Sequence, residues 1–431
     1  MKVAIIGTGF VGVTSCVVYA SFGNQVIGLD VDQSKVESLN KGKVPFYEPK
    51  LTELLKTGLN EGNLKFTTTY EEAISEADVV IVAVGTPSAS DGAIDLSYIA
   101  NSVAQAAPFL KEGAVLAIKS TVLPGTLAQV KKIVGNLTDK KIHYASLPEF
   151  LKEGTAVDDT LYPDRIVIGT ENKTAFAILE ELHRPFQAPI LSVKPESAQL
   201  TKYASNNYLA LRIVYANVLA EICEKTDADI DEVIEAMGYE KRIGKHYWYP
   251  GLGYGGSCFP KDVKALAHFC HDKKIVDNLF SFMTQFNTNR PIQVLKRLEK
   301  VMGSFAKKKI AVLGLSFKPN TDDQRESPAL AVIPALLEAG AQVSAFDPMV
   351  KKIADAKIAN HSHYKQEMEI EGAVKDADLI IILIEWPQII GFDFAKVKAN
   401  KPQFFFDTRG QFSLKKIQDA GYLYLRVGRQ F

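Results

Sequence analysis

One pattern of apolar residues occurs twice in this chain, and it restricts the possible folds more than any other feature. Three segments near the start of the chain each have a similar counterpart near its end, and the counterparts follow in the same order. The pairs are residues 2–10 and 309–317, residues 25–30 and 342–347, and residues 77–84 and 377–384. Their continuous apolar runs are typical of parallel strands buried on both faces, and the spacers are long enough for crossover helices. The repeat therefore predicts two related α/β domains, each with a doubly wound parallel sheet.

The sequence between the two repeats has a different character. From Pro195 to about Glu224 it contains no Gly and no second Pro, and Pro suits the first position of a helix. A helix of roughly 28 residues would be about 42 Å long, enough to join two domains. Residues 229–237 and 261–270 also have a helical pattern. We therefore predict two Rossmann-like domains, residues 1–195 and 301–431, joined by a long central helix within a helical middle domain, residues 196–300.

Charge balance and apolar segments exclude several classes of protein. Lys plus Arg and Asp plus Glu each number 50, whereas proteins that bind nucleic acid or anionic membranes usually carry a basic excess. No apolar run approaches the ~18 residues of a membrane span, and the run at residues 3–6 is too short for a signal peptide. We expect a cytoplasmic protein with neither a nucleic-acid nor a membrane partner.

The cysteines and histidines do not predict a metal site. The four cysteines form no C-x-x-C pair and are too few for a disulfide framework. Cys270 between His268 and His271 is the nearest approach to a metal motif, and it lacks the spacing of a structural zinc site.

A glycine-rich turn follows the first predicted strand. Gly7, Gly9 and Gly12 form a G-x-G-x-x-G fingerprint between a strand and a helix, and Asp30 ends the next strand. In this context the glycines allow a tight turn and close approach of a pyrophosphate, and the acid binds ribose hydroxyls. No arginine follows Asp30 to hold a 2′-phosphate, so the motif favours NAD over NADP. The second repeat has Ser316 and Pro319 at the fingerprint positions, which predicts a different ligand there.

A second motif surrounds one cysteine, in residues 253–262 (GYGGSCFPKD). Glycines before Cys258 leave room for a substrate, and Pro260 predicts that a helix begins beside the thiol. The helix dipole and Lys261 would then favour the thiolate. Asp262 lies close enough to share the site and act on water. The other three cysteines are expected to be small buried side chains.

Several further segments allow two interpretations on sequence alone. Lys202 and Asn206 share one face of the predicted long helix, where a merely solvated face is equally open. Residues 148–155 and the pair Ser120–Thr121 follow apolar strands, whose carboxyl ends face the ligand crevice of a parallel sheet. Residues 317–327 replace the lost fingerprint of the second repeat, and their cations could meet phosphates or form salt bridges.

Taken together, these motifs resemble the nucleotide-sugar 6-dehydrogenase family along the whole chain, and the cysteine loop is the most specific part of the likeness. The resemblance implies that Cys258 is the nucleophile, that Lys202 and Asp262 are its acid–base and water-handling partners, and that Thr121, Glu149 and Asn206 position water and the sugar. It places NAD contacts at the three fingerprint glycines and at Asp30, Lys35, Thr86, Thr121, Glu153, Lys261 and Arg325. It places nucleotide-sugar contacts at Glu149, Phe150, Leu151, Lys152, Lys202, Asn206, Arg242, Tyr247, Tyr249, Gly251, Gly255, Lys318 and Arg409.

The resemblance also implies the reaction and the assembly. The expected activity is NAD-dependent, four-electron oxidation of UDP-glucose to UDP-glucuronate through a cysteine thiohemiacetal and thioester. The expected assembly is a homodimer formed through the central helix, with Arg242 reaching the substrate across it. Oxidation of GDP-mannose or another nucleotide sugar is the alternative, and the Gly-Tyr-Gly-Gly form of the cysteine loop favours UDP-glucose. A catalytically dead scaffold would be expected to lose Cys258, Lys202 or Asp262, and a two-electron alcohol dehydrogenase would not need the cysteine loop.

Overall fold

The computed structural model describes residues 1–89, 91–397 and 403–430, so residues 398–402 and 431 of the predicted last domain lie outside it. The chain forms two compact units, residues 1–205 and residues 206–431. The division falls within one long helix, which belongs partly to each unit.

The first unit is built on an eight-stranded sheet. Its strands are β1 Lys2–Ile6, β2 Gln25–Leu29, β3 Leu64–Thr67, β4 Val79–Val82, β5 Val115–Ile118, β6 His143–Ser146, β7 Ile166–Gly169 and β8 Ile190–Val193. Their order is β3-β2-β1-β4-β5-β6-β7-β8. The pairs are parallel except that β6 meets β7 in antiparallel orientation at Ser146 and Gly169. The order reverses beside β1, where doubly wound sheets bind their ligands.

Helices cover both faces of this sheet, because its strands are apolar on both sides. Val3 and Ile5 of β1 pack into one core, whereas Ala4 and Ile6 pack into the other. The helices are α1 Phe10–Ser21, α2 Gln33–Asn40, α3 Leu51–Asn60, α4 Tyr70–Ile74, α5 Ser97–Ala106, α6 Thr126–Gly135, α7 Ala156–Leu161 and α8 Lys173–His183. Short 3₁₀ turns span Ala107–Phe109 and Arg184–Phe186.

The second unit contains the second predicted sheet, and its topology repeats that of the first. Its parallel strands are β9 Lys309–Leu313, β10 Gln342–Phe346, β11 Tyr364–Gln366, β12 Leu379–Ile382, β13 Gln403–Asp407 and β14 Tyr422–Arg426. The order β11-β10-β9-β12-β13-β14 matches the first six strands of the first sheet. The three sequence echoes coincide with β1 and β9, β2 and β10, and β4 and β12. The prediction of two related doubly wound domains is confirmed.

A long helix, α9 Pro195–Cys223, begins at the predicted proline and runs for 29 residues. The helices that follow it in the second unit are α10 Ile230–Gly238, α11 Phe259–Asp272, α12 Leu279–Met302, α13 Ala329–Glu338, α14 Ala356–Ala359, α15 Ile370–Val374, α16 Pro387–Ile390 and α17 Leu414–Asp419, with a 3₁₀ turn at Phe394–Val397. A small separate core joins α9, α11 and α12 around Met283 and Tyr254. Tyr254 belongs to the cysteine loop, so this core anchors the loop that contains Cys258.

Candidate active site

The turn between β1 and α1 requires its glycines. Gly7 has a φ of +94°, which L side chains rarely adopt, and a Cβ on Gly12 would overlap the carbonyl oxygen of Gly7. A Cβ on Gly9, by contrast, would project into open space beside the first turn of α1. The turn therefore presents bare backbone at a helix N-terminus, which suits a pyrophosphate.

Asp30 lies at the carboxyl end of β2 and is 9% exposed. Its Oδ2 accepts hydrogen bonds from the Thr8 amide at 2.9 Å, from Thr8 Oγ1 at 2.7 Å and from Lys35 Nζ at 2.9 Å. Burial alone would raise the pKa of Asp30, but the bonds from Thr8 and Lys35 outweigh it and hold the pKa below its ordinary value. The carboxylate is therefore ionised and fixed in place, as an acceptor for ribose hydroxyls must be.

The other expected NAD contacts are distributed over both units. In the first unit, Thr86 is buried in the loop after β4, and Thr121 is half-buried in the turn after β5. Glu153 lies between β6 and α7. In the second unit, Arg325 is 65% exposed and its guanidinium pairs with Asp323 at 2.6 Å. Their roles stay predictions.

We expect Asp30→Ala to weaken NAD binding by about 30- to 150-fold, because it removes charge-assisted hydrogen bonds worth about 2–3 kcal/mol. Nucleotide-sugar affinity should stay within about twofold of the wild type. Titration calorimetry with each ligand would measure both affinities. Asp32→Asn is the matched control, since the Asp32 side chain caps α2 through the Ser34 amide at 2.9 Å. Equal losses for both ligands would contradict the assignment of NAD to this turn.

The second sheet has an acid, Asp347, at the position that corresponds to Asp30, but this acid is more deeply buried. Asp347 ends β10 and is 3% exposed. Its Oδ2 accepts hydrogen bonds from the Leu315 amide at 2.7 Å, from the Ser316 amide at 3.0 Å and from Trp386 Nε1 at 3.1 Å. Asp347 is bonded internally more completely than Asp30, because the Trp386 indole binds Oδ2 and the amides of Met349 and Val350 both donate to Oδ1 at 2.9 Å.

Glu149 and Lys202 form a buried ion pair in the first unit. Lys202 Nζ lies 2.7 Å from Glu149 Oε1, and the two side chains are only 4% and 8% exposed. The other oxygen, Oε2, accepts a hydrogen bond from the Leu151 amide at 2.8 Å. From sequence spacing alone, Lys202 could have lain on a solvent-exposed face of the helix. The structure rules this out, because the side chain is buried.

Residues 150–155 form a loop that follows this pair, and a residue missed by the sequence analysis holds it. Glu48 is 5% exposed and accepts hydrogen bonds from the amides of Gly154 at 2.6 Å and Ala156 at 2.7 Å. The Phe150 ring lies 3.8 Å from the Arg165 guanidinium, and Lys152 pairs with Asp159 at 3.1 Å. The loop that carries the expected substrate contacts is therefore anchored, although nothing in the local sequence around Glu48 indicated this.

Cys258 occupies the predicted position at the start of a helix. It is the N-cap residue of α11, and Pro260 stands in the first turn. The thiol is exposed, whereas Cys16, Cys223 and Cys270 are buried. Burial raises the pKa of the Cys16 thiol, so that thiol is inert. The helix N-terminus instead favours negative charge on Cys258.

Asp262 and Asn206 meet in the second unit. Asp262 is 1% exposed; its Oδ2 accepts a hydrogen bond from Asn206 Nδ2 at 2.6 Å, and its Oδ1 accepts one from Lys261 Nζ at 2.6 Å. The Asp262 amide donates to the Cys258 carbonyl at 2.8 Å. Asp262, Asn206 and Lys261 thus form one hydrogen-bonded group, in which Asp262 lies one turn of α11 after Cys258.

The cysteine loop packs against residues 317–326 and cannot do so with larger side chains. A Cβ on Gly255 would overlap the Glu326 carbonyl, and one on Gly256 would lie 2.7 Å from the Phe317 ring. The Gly256 amide donates to the Arg325 carbonyl at 2.9 Å. Close backbone packing therefore explains these two glycines, and it brings the two predicted motifs together.

The aromatic loop at residues 247–251 is organised by stacking. The Tyr247 ring lies 5.6 Å from Tyr249, and Arg212 stacks on Trp248 at 4.0 Å. Two residues missed by the sequence analysis fix Gly251: Asn217 accepts from its amide at 2.8 Å, and Arg290 donates to its carbonyl at 3.1 Å.

The remaining expected substrate contacts are cations of the second unit. A Cβ on Gly251 would lie 3.0 Å from Arg409 Nη1, so Gly251 gives the guanidinium room. Arg409 also pairs with Glu385 at 2.6 Å. Lys318 Nζ lies 5.5 Å from the Phe317 ring, and Arg242 is 88% exposed and bound to Glu240.

The part of the chain that the structure describes contains neither a membrane-spanning helix nor a cluster of metal ligands. No helix in residues 1–89, 91–397 and 403–430 is long and apolar enough to cross a membrane. No group of three or more potential metal ligands occurs within the same ranges. His268 instead lies 3.3 Å from Asp272, one turn along α11.

Three sequence models of one family match successive parts of the chain. The models describe the UDP-glucose/GDP-mannose dehydrogenase family: its NAD binding domain matches residues 1–187, its central domain residues 196–289 and its UDP binding domain residues 311–413.

Individual proteins resemble the chain over its full length. The UDP-glucose 6-dehydrogenase TuaD of Bacillus subtilis is 39% identical, covering 99% of this chain and 93% of that protein. Among solved structures, a UDP-glucose dehydrogenase from Pyrobaculum islandicum has a TM-score of 0.90 at 36% identity, covering 99% of this chain and 97% of the other. The UDP-D-ManNAc dehydrogenase of Pyrococcus horikoshii has a TM-score of 0.87 at 27% identity, covering 100% and 99%.

Proposed function

Because the chain belongs to the UDP-glucose/GDP-mannose dehydrogenase family, we propose that it oxidises UDP-glucose to UDP-glucuronate and produces two NADH for each sugar. Membership makes it an oxidoreductase with an NAD-binding domain. The proposal assigns NAD to residues 1–195, the nucleophile and self-association to residues 196–300, and the nucleotide sugar mainly to residues 301–431. The single observation that carries it is an exposed thiol at the start of α11, one turn from a buried carboxylate.

The reaction needs a nucleophile because a primary alcohol becomes an acid in two successive two-electron oxidations. Cys258 sulfur adds to the C6 carbonyl carbon of the intermediate aldehyde, which forms a C–S bond and prevents escape of the aldehyde. Loss of a hydride from this thiohemiacetal leaves a thioester. Water then adds to the thioester carbonyl, the C–S bond breaks, and the carboxylate and the thiolate are released.

The dinucleotide turn fits NAD, because its three glycines place no side chain in the way of a pyrophosphate and Asp30 is ionised at the end of β2. Bound NAD supplies the acceptor for both hydrides. Gly7, Gly9 and Gly12 hold its pyrophosphate and Asp30 its ribose, while Lys35 keeps Asp30 in position. Thr86, Thr121, Glu153, Lys261 and Arg325 complete the proposed contacts.

Acid–base chemistry falls to the two buried polar groups. Lys202 takes the proton of the C6 hydroxyl in the first oxidation, and Glu149 holds its amine in place. Asp262 orients the hydrolytic water with Asn206, to which it is already bonded. Thr121 is proposed to supply a hydroxyl that positions water.

The proposed substrate contacts fall into two sets, one in the first unit and one in the second. Residues 149–152 offer their backbone and side chains from the anchored loop of the first unit. Tyr247, Tyr249, Gly251, Gly255, Lys318 and Arg409 offer stacking, space and positive charge in the second.

The activity is tested by incubating the protein with NAD and a panel of nucleotide sugars while NADH absorbance is followed. We expect UDP-glucose to give two NADH per molecule consumed, with UDP-glucuronate as the product. Preference for GDP-mannose or for UDP-N-acetylmannosamine would reassign the substrate within the family. One NADH per sugar, with release of aldehyde, would contradict the thioester mechanism.

Asp262→Asn should leave addition of the thiol intact but slow hydrolysis by about 100-fold, because the neutral amide cannot polarise water as the carboxylate does. The thioester should therefore accumulate on the peptide that contains Cys258. Intact-protein mass spectrometry after acid quench would detect the added mass of the substrate. Asp272→Asn, exposed at the other end of α11, is the matched control and should accumulate none. Hydrolysis at the wild-type rate would remove Asp262 from the water-handling role.

The proposed assembly is a homodimer formed through α9. Tyr208, Tyr215 and Ile222 follow one another at seven-residue intervals on this helix and are 57%, 48% and 52% exposed. An apolar stripe of this kind on a long helix suits a second copy of the same helix. Arg242, whose side chain is 88% exposed, is the residue proposed to reach the partner's substrate. Light scattering at micromolar concentration should give twice the monomer mass, and Tyr215→Lys should shift it towards the monomer.

The proposed location is the cytoplasm. The mechanism needs Cys258 as a thiol, and reducing compartments maintain exposed thiols. Activity that survives only in the presence of an added reductant would support this requirement.

A further inference from the structure

One face of α12 holds residues 251–254, the connecting segment between the aromatic loop and the cysteine loop, at two points. Arg290 Nε donates a hydrogen bond to the Gly251 carbonyl at 3.1 Å. One turn before it, Asn287 bonds both backbone groups of Tyr254: its Oδ1 accepts from the amide at 2.8 Å, and its Nδ2 donates to the carbonyl at 2.9 Å. Residues three apart lie on one face of a helix, so a single surface of α12 supplies both contacts.

Arg290 is itself fixed by carboxylates of α9. Its side chain is fully buried, and its Nη1 lies 2.5 Å from Glu221 Oε1. Glu224, one turn later on α9, lies 4.0 Å from Arg290 Nη2. A guanidinium keeps its charge near neutral pH, so the donor that meets Gly251 is both charged and held in one orientation.

Stability alone does not account for a fully buried arginine. The cost of removing two opposite charges from water often matches or exceeds their attraction, and apolar side chains can stabilise such a position equally well. An apolar side chain, however, could not donate to the Gly251 carbonyl. The Gly251 amide is bonded too, to Oδ1 of the buried Asn217 at 2.8 Å. Side chains of two helices therefore fix both backbone groups of this glycine.

The position of Gly251 matters because of the groups that pack against it. A Cβ on Gly251 would lie 3.0 Å from Arg409 Nη1 and 3.2 Å from the Thr408 carbonyl oxygen, so the glycine backbone already lies close to the guanidinium. Gly251 and Arg409 are both proposed contacts of the nucleotide sugar. A small shift of the Gly251 backbone would therefore change the surface that meets the substrate.

Asn287 fixes the other end of the connecting segment. Gly253 has a φ of +100°, and a Cβ on it would lie 2.5 Å from Asn287 Oδ1, so the amide side chain lies directly against this turn. Its two bonds hold Tyr254, which precedes Cys258 by four residues. A displaced Tyr254 would therefore move the turn that presents the thiol.

We propose that Asn287 and Arg290 are positioning residues for catalysis. Arg290 acts through Gly251 and sets the surface that binds the nucleotide sugar, whereas Asn287 acts through Tyr254 and sets the turn that carries Cys258. The inference rests on the proposed function, since that function assigns the substrate to Gly251 and the nucleophile to Cys258.

Arg290→Met and Arg297→Met form a matched pair that separates positioning from stability. Arg297 lies two turns farther along α12 and pairs with the same carboxylates, Glu221 at 3.4 Å and Glu224 at 3.1 Å. Both variants should lower the melting temperature, because each leaves these carboxylates with one cation fewer. Only Arg290→Met should weaken UDP-glucose binding, by about 10- to 100-fold in titration calorimetry, with NAD affinity within about twofold of the wild type.

Equal losses of UDP-glucose affinity in the two variants would overturn the role of Arg290, because lost charge pairing alone would then explain both. If Arg290→Met does not fold, the double variant Arg290→Met with Glu221→Gln removes a charge that has lost its partner. The double variant should still bind UDP-glucose at least about 10-fold more weakly than the wild type. Wild-type affinity in the double variant would contradict the proposal.

Asn287→Ala tests the second contact, and Asn289→Ala, an exposed asparagine of the same helix, is its control. Alkylation of Cys258 by iodoacetamide at pH 7, followed by peptide mass spectrometry, should slow by about threefold or more in Asn287→Ala. A thiol displaced from the start of α11 loses the helix dipole that favours the thiolate. The kcat for NADH formation should fall by about 10-fold or more. Asn289→Ala should match the wild type in both measurements, and an unchanged alkylation rate and kcat in Asn287→Ala would overturn its role.

Failure of the proposed function would be recognised separately. A wild type that forms no NADH with any nucleotide sugar would refute the function. Binding of UDP-glucose and alkylation of Cys258 need no turnover, so the comparisons of Arg290→Met with Arg297→Met and of Asn287→Ala with Asn289→Ala would still test the positioning roles. Wild-type behaviour of both Arg290→Met and Asn287→Ala in these two measurements would overturn the inference, whether or not the enzyme turns over.

Discussion

Cys258→Ser should reduce conversion of UDP-glucose to UDP-glucuronate by a factor on the order of 10³ or more, the scale typical of losing a covalent nucleophile. A hydroxyl is a far poorer nucleophile than a thiol near neutral pH, and the N-terminus of α11 cannot make up the difference. Binding of NAD and of the nucleotide sugar should stay near normal, because neither ligand depends on the sulfur. NADH yield per sugar, measured with product analysis, would report the effect.

The step at which Cys258→Ser stops the reaction tests the thioester mechanism. If supplied aldehyde is also oxidised poorly by Cys258→Ser, the lost step follows the first hydride transfer. Cys270→Ser, on the same helix but buried, is the matched control and should keep two NADH per sugar. Should Cys258→Ser still yield two NADH per sugar at the wild-type rate, the thioester mechanism is wrong and the cysteine loop serves packing or binding.

Lys202→Met should damage both activity and stability. Removing the ammonium leaves Glu149 buried without its partner, which typically costs about 3–5 kcal/mol and would lower the melting temperature of the first unit by roughly 10 °C. The loss of the acid–base group should lower kcat by about 10²- to 10⁴-fold. Scanning calorimetry and initial rates would measure the two effects.

A double variant separates the two roles of this lysine. Lys202→Met with Glu149→Gln removes the unpaired charge, so most of the lost melting temperature should return while activity stays low. Lys65→Met is the control, since Lys65 is half-exposed, has no proposed role in the site, and its pair with Glu72 is worth little. A single variant that melts with the wild type would show that the Glu149–Lys202 pair does not stabilise the unit, and recovery of activity in the double variant would exclude Lys202 as the base.

Much of the fold could be predicted from sequence because its determinants are local. A run of apolar residues with no alternation can be covered only by helices on both faces, so each of the three echoes predicted a buried parallel strand. Pro195 and the absence of glycine after it predicted α9, and Pro260 predicted the start of α11 beside Cys258. The turn at Gly7 was equally clear, because a left-handed backbone and a close carbonyl admit nothing larger than glycine.

The sites depended on partners that are distant along the chain. Sequence spacing left Lys202 and Glu149 near even between solvated and functional interpretations, and the structure shows them buried and paired. Glu48 and Asn217 were missed because each fixes a loop backbone that is remote in sequence. The sequence immediately around Glu48 and Asn217 does not predict these contacts.

The sequence by itself determined two largely parallel sheets, a dinucleotide turn, and a thiol at a helix start, since periodicity, glycine conformation and helix caps act within a few residues. Only the tertiary structure decided which charged side chains are buried and which groups surround them. Lys119 directly follows a strand in the sequence, yet burial and the charge of Lys202 lower its pKa to about 8, against the opposing attraction of Glu149. Asp347 stands in the second repeat where Asp30 stands in the first, yet only the tertiary structure brings the Trp386 indole onto its carboxylate. Both outcomes follow from the same cause: the free energy of a charge depends on the water removed from it and on the groups that replace that water, and segments far apart in sequence supply both.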